Sequence, residues 1–127
     1  MLKNQRLKNH LLNKIDKKYG TNFLHQSDDF IPYIDFTFYL GFENNPVIID
    51  SPEDLDKILA EGDIDFYHNE AYEKFYNTKL SSLSVVDLFY QLHLAMEFTG
   101  DTHHRYIERL IIKESNGLIT ITNECGS

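Results

Sequence analysis

From residue 2 to residue 19 the apolar positions Leu7, Leu11, Leu12, Ile15 and Tyr19 recur at helical spacing, and Gly20 stands where a helix would end. The other face is rich in lysine, so the stretch predicts an amphipathic helix docked by its leucines. The period then changes to two. In FIPYIDFTFYLGF, residues 30–42, Ile34, Phe36, Phe38, Leu40 and Phe42 share one face, while Tyr33, Asp35, Thr37 and Tyr39 share the other. That alternation predicts a strand covered on one side only. ENNP at 43–46 supplies turn residues, and VIID completes a hairpin.

Ser51 before Pro52, with Glu53 and Asp54 behind it, is a helix-start signal, and it predicts a helix over 52–61 that stops at Gly62. Tyr72, Phe75 and Tyr76 then suggest a weaker helix over 69–77, preceded by an extended piece holding Phe66 and Tyr67. In SVVDLFYQLHLAMEFTG, Ser84 and Asp87 form a capping pair, and Val85, Leu88, Phe89, Leu92 and Met96 make an apolar stripe. Gly100 suits its C-terminal end, so this is the helix expected to be most buried.

Asn116-Gly117 lies between two β-rich runs and favours a two-residue type I′ turn. The register this implies sets Ser115 against Leu118, Lys113 against Thr120 and Ile112 against Ile121. Leu110, Ile112, Ile119 and Ile121 then face inward, and Arg109, Lys113, Thr120 and Thr122 outward. The element order predicts an α+β fold: a two-layer sandwich whose mainly antiparallel sheet of about four strands carries helices packed on one face. A chain of 127 residues with no internal repeat or linker is expected to fold as a single domain over 1–127.

Composition adds a compartment. Nine Phe and eight Tyr fill a core without help from disulfides or a metal, and Cys125 has no second cysteine to pair with. Residues 1–20 carry charge throughout, so neither a secretory signal nor a membrane span is expected, and the chain reads as soluble and cytoplasmic.

Charge changes the picture most, because its net value of -8 is unevenly spread. Residues 1–27 hold six basic side chains against Asp16 alone, residues 28–73 hold thirteen acids against Lys57, and the remainder is nearly balanced. An acid block of this kind repels itself and attracts a basic surface, whereas a nucleic-acid reader needs the opposite sign. A plain solvated face maintaining solubility is the ordinary alternative.

FTGDTHHRYIE, residues 98–108, concentrates the chemistry: His93 and Glu97 flank the helix end, and Asp101, His103 and His104 follow in the loop. These residue types suit a metal site or a general base, yet their spacing matches no metal template. Adjacent histidines in an extended segment also point to opposite faces, so a structural corner is the simpler reading. Tyrosine near acid is the other pattern. Tyr33, Asp35, Tyr39, Asp54, Asp63, Asp65, Tyr67, Glu70, Tyr72 and Glu73 form the expected partner-binding set, since Tyr anchors interfaces and carboxylates pair with Lys or Arg.

The sequence therefore points to a small acidic binding protein that is not an enzyme and needs no cofactor or metal. The most concrete version is an inhibitor or immunity protein occupying the active cleft of a basic partner such as a nuclease-type toxin, without nucleic acid or membrane as partner. The alternatives are a small metal-dependent or acid/base enzyme at His93, Glu97, Asp101 and His104, and an acidic subunit or phage-type structural module.

Overall fold

The computed structural model describes residues 2–33, 37–42, 45–69 and 74–126. Its elements are α1 (Leu2–Tyr19), β1 (Thr37–Leu40), β2 (Pro46–Ile48), β3 (Ile58–Asn69), β4 (Phe75–Ser84), α2 (Val85–Thr99), β5 (Tyr106–Ser115) and β6 (Leu118–Gly126). Short 3-10 turns occupy Ser27–Asp29 and Pro52–Asp56.

Three antiparallel hairpins, β1·β2, β3·β4 and β5·β6, supply the strands. They lie side by side in the order β2-β1-β5-β6-β3-β4, joined by two parallel pairings, β1·β5 and β3·β6. The class is α+β as expected, but the sheet has six strands and is mixed, not a mainly antiparallel sheet of about four. A hairpin is dictated by its own turn, whereas each parallel join pairs residues distant in the chain, which a local pattern does not encode.

The additional strands come from a region whose caps suggest helix. Pro52–Asp56 makes only a 3-10 turn, anchored by the buried Leu55, and Asp54 Oδ2 accepts the N–H of Asp50 at 2.9 Å and of Ser51 at 3.1 Å. The predicted helix over 52–61 therefore ends after one turn, and the chain runs on as a long strand. Along β3 the inward side chains are Ile64, Phe66 and His68, all buried. Phe75 and Tyr76 belong to β4, whose side chains alternate between open and half-covered, so the helix predicted over 69–77 is not formed in its described part. Gly62 does not stop a helix either. It sits where β3 slips register against β4, at φ 134, and a Cβ there would lie 3.3 Å from Ile119 Cδ1.

Both predicted long helices form with their predicted ends. Gly20 adopts φ 70 after α1, and Gly100 caps α2 in the left-handed conformation. Ser84 and Asp87 close the capping box of α2: Asp87 N–H donates to Ser84 Oγ at 3.1 Å, and Ser84 N–H donates to Asp87 Oδ2 at 3.0 Å. At the other end of the chain, Asn116 and Gly117 both have positive φ, and Ser115 pairs with Leu118, Lys113 with Thr120 and Ile112 with Ile121, the predicted register.

Leu7, Leu11, Leu12 and Ile15 of α1 and Leu88, Phe89, Leu92 and Met96 of α2 share one core with Phe38, Val47, Ile64, Phe66, Leu110 and Ile121 from the sheet. Each large side chain removed from water here contributes about 1.5–3 kcal/mol. The helices are tied together by the Tyr19 and Tyr90 rings, stacked 3.8 Å apart, and by Lys18 Nζ and the Tyr19 hydroxyl, both donating to Asp87 Oδ1. Both helices thus cover the same side of the sheet. Among the described residues no element covers the other.

The open face of the sheet as a candidate interface

Alternation along each strand decides what reaches the open face. In β1, Phe38 is fully buried while Thr37 and Tyr39 point away from the core, and their partners in β2 are Ile48 and Pro46. Phe42, expected on the core side, lies in the turn and is 71% exposed, because Gly41 at φ 65 redirects the chain before the alternation would carry it inward. Ile34, Asp35 and Phe36 lie outside the described residues.

In β5 the alternation breaks. Ile107 pairs with Cys125 and Arg109 with Glu124, so Glu108 is an extra residue and both Glu108 and Arg109 stand against Glu124. The bulge keeps Ile107 and Leu110 in the core and gathers charge outside. The result is an open cleft of ≈ 570 Å³ lined by Thr37, Tyr39, Tyr106, Ile107, Glu108, Arg109 and Glu124.

Two arginine–tyrosine contacts frame it. Tyr33 N–H donates to Arg105 O at 3.0 Å, the Tyr33 ring stacks on Tyr106 at 4.6 Å, and the Arg105 guanidinium lies 3.9 Å from the Tyr33 centroid. Arg105 Nε also donates to Ile31 O. On the other side Arg109 donates to Gly41 O and sits 5.6 Å from the Tyr39 ring and 5.9 Å from that of Phe42. These contacts fix the positions of the rings.

The predicted binding residues divide. Tyr39 lines this cleft and Tyr33 stacks on Tyr106 beside it, while Asp63, Asp65 and Tyr67 lie on the same face two strands away, on β3. Asp63 is exposed, but Asp65 is buried in an ion pair with Lys79, its partner across β4. Asp54 is turned onto its own backbone, and Asp56 pairs with Lys14 of α1 at 2.8 Å, so these two do not join the open face. Glu70, Tyr72 and Glu73, like Asp35, lie outside the described residues. Sequence reasoning missed Tyr106, Glu108 and Glu124. Strict alternation inward from Leu110 would send Glu108 to the core, and only the bulge reverses it.

At the histidine corner, His93 and Asp101 are hydrogen-bonded to neighbouring parts of the chain. His93 is buried between Phe23 and Phe30, and its Nδ1 accepts the N–H of Ile31 at 3.1 Å, which leaves the ring proton on Nε2, 3.8 Å from Glu97. Burial holds its pKa below the ordinary histidine value, outweighing the charges of Glu97 and Asp29. Asp101 turns the loop: it accepts His103 N–H at 2.9 Å and His104 Nδ1 at 2.8 Å. Burial pushes its carboxyl up, and these bonds more than reverse that. Among the described residues no three His, Cys, Asp or Glu side chains come together as metal ligands. No described helix is long and apolar enough to cross a membrane.

No protein-family description, curated protein or solved structure matches the chain.

Proposed function

We propose that this chain is a small acidic binding protein, of the inhibitor or immunity type, that engages a basic partner such as a nuclease-type toxin through the open face of its sheet. One observation carries the reading: a sheet face that no described element covers, on which Tyr39, Tyr106, Phe42 and Ile48 stay at least a third exposed, among Glu108, Glu124 and Asp63. Leaving large apolar side chains in water is unfavourable unless a partner covers them, and tyrosines ringed by charge are what protein interfaces use. The net charge of -8 adds steering toward a positively charged surface. In such a complex the carboxylates take the places of substrate phosphates in the partner's cleft.

The test is capture of partners from the protein's own cells at low and high salt, with wild type and a Tyr39→Ala/Tyr106→Ala variant compared. A partner with a basic surface, held by wild type, released by salt and missed by the variant, is expected. Capture indifferent to salt, or a partner lacking basic surface, would refute the proposal.

A further inference from the structure

We propose that the cleft between Tyr39 and Tyr106 is a seat for one arginine side chain of the partner, with Glu108 and Glu124 as its counter-ions. The inference rests on the binding reading above and narrows it to a place and a chemical group.

Three observations converge. Guanidinium against tyrosine is already the chemistry of this face: Arg105 lies on Tyr33, Tyr33 stacks on Tyr106, and Arg109 neighbours Tyr39. The cleft opens between these two units and is lined by a tyrosine of each. Its charge is unbalanced, since the bulge sets Glu108 and Glu124 together, and neither has an ion-pair partner among the described residues. Arg109, the cation of the lining, donates to Gly41 O.

An incoming guanidinium would meet ring surface and carboxylate oxygens at once, and a planar fork matches a carboxylate in a way an ammonium does not. A volume of ≈ 570 Å³ accommodates that side chain with room for the backbone carrying it. Occupying the cleft also covers part of Tyr39 and Tyr106, and so accounts for their exposure.

The experiment is a solution NMR titration of the full chain with N-acetyl-arginine amide, using N-acetyl-citrulline amide as a neutral probe of the same shape. Saturable shifts in the millimolar range confined to Thr37, Tyr39, Tyr106, Glu108 and Glu124 are expected for the arginine probe, and much weaker ones for citrulline. Tyr106→Ala and Glu124→Gln should each weaken binding roughly three- to tenfold. Glu114→Gln, the same charge change on the neighbouring strand β5 outside the cleft, should leave it unaltered. Equal response to citrulline, shifts spread over Asp63 and the lysine-facing acids, or no saturable shift at these positions would overturn the inference. A basic partner captured with undiminished affinity by Glu124→Gln would sink the arginine seat and spare the binding function. Arginine binding in the cleft without any basic partner would do the reverse.

Discussion

Asp87 is the residue whose loss should cost the fold most for its size. It is 3% exposed and serves two purposes at once: Oδ2 receives Ser84 N–H at the start of α2, and Oδ1 receives Lys18 and Tyr19 from the end of α1. Asp87→Ala removes the reciprocal half of the capping box, about 1 kcal/mol. It also removes two charge-assisted contacts between the helices, another roughly 1–2 kcal/mol given that Lys18 remains half in water. A total of about 2–3 kcal/mol is a large share of the roughly 5–15 kcal/mol that holds an ordinary domain together. Asp87→Asn keeps an acceptor for Ser84 N–H but puts an amide NH2 where Oδ1 received Lys18 and Tyr19, so it should retain the cap and lose only the contacts between the helices, roughly 1–2 kcal/mol.

Urea unfolding followed by far-UV circular dichroism measures both. The acid limb provides a second check. Burial raises the Asp87 carboxyl's pKa, but the bonds from Lys18, Ser84 and Tyr19 win and hold it below the usual aspartate value. A folded value below the unfolded one means the stabilisation is complete above about pH 4 and drains away as pH falls through the folded value. The gap between wild type and Asp87→Ala should therefore narrow in acid. A gap under about 0.5 kcal/mol at neutral pH, comparable to an ordinary surface change, would refute the linkage between cap and helices. So would equal losses for the Ala and Asn variants.

Two other outcomes follow from buried groups. His93 has a folded pKa below its unfolded one, so its contribution is full above about pH 6.5 and declines as pH falls below it; His93→Gln, which retains an acceptor for Ile31 N–H, should flatten that part of a stability-against-pH curve, and a variant with an unchanged slope would contradict the neutral-ring assignment. Burial first, with Glu108 and Asp101 adding, pushes the Cys125 thiol up to about 12, so Ellman's reagent should label it far more slowly in folded than in urea-unfolded protein, and equal rates would count against its placement.

The sequence by itself determined every element whose information is local. Leu7 to Tyr19 and Val85 to Met96 carry helical stripes with Gly20 and Gly100 behind them, and Asn116-Gly117 admits the left-handed backbone its turn needs, so α1, α2 and the β5·β6 register were legible from residues within one or two turns of each other. Around Ser51 the same reasoning misled, because a cap specifies where a helix begins and not how far it continues. Beyond Leu55 the burial of Ile64 and Phe66 against Ile119 and Ile121 favours a strand. Tertiary structure alone decided the two parallel joins that seat the β5·β6 hairpin between β1 and β3, since those contacts form only once distant segments share a core. It also decided the candidate interface: Tyr33 and Tyr39 were visible as outward aromatics, but Glu108 joins Tyr39 in lining the cleft only because one extra residue in β5 turns its side chain from the core to water.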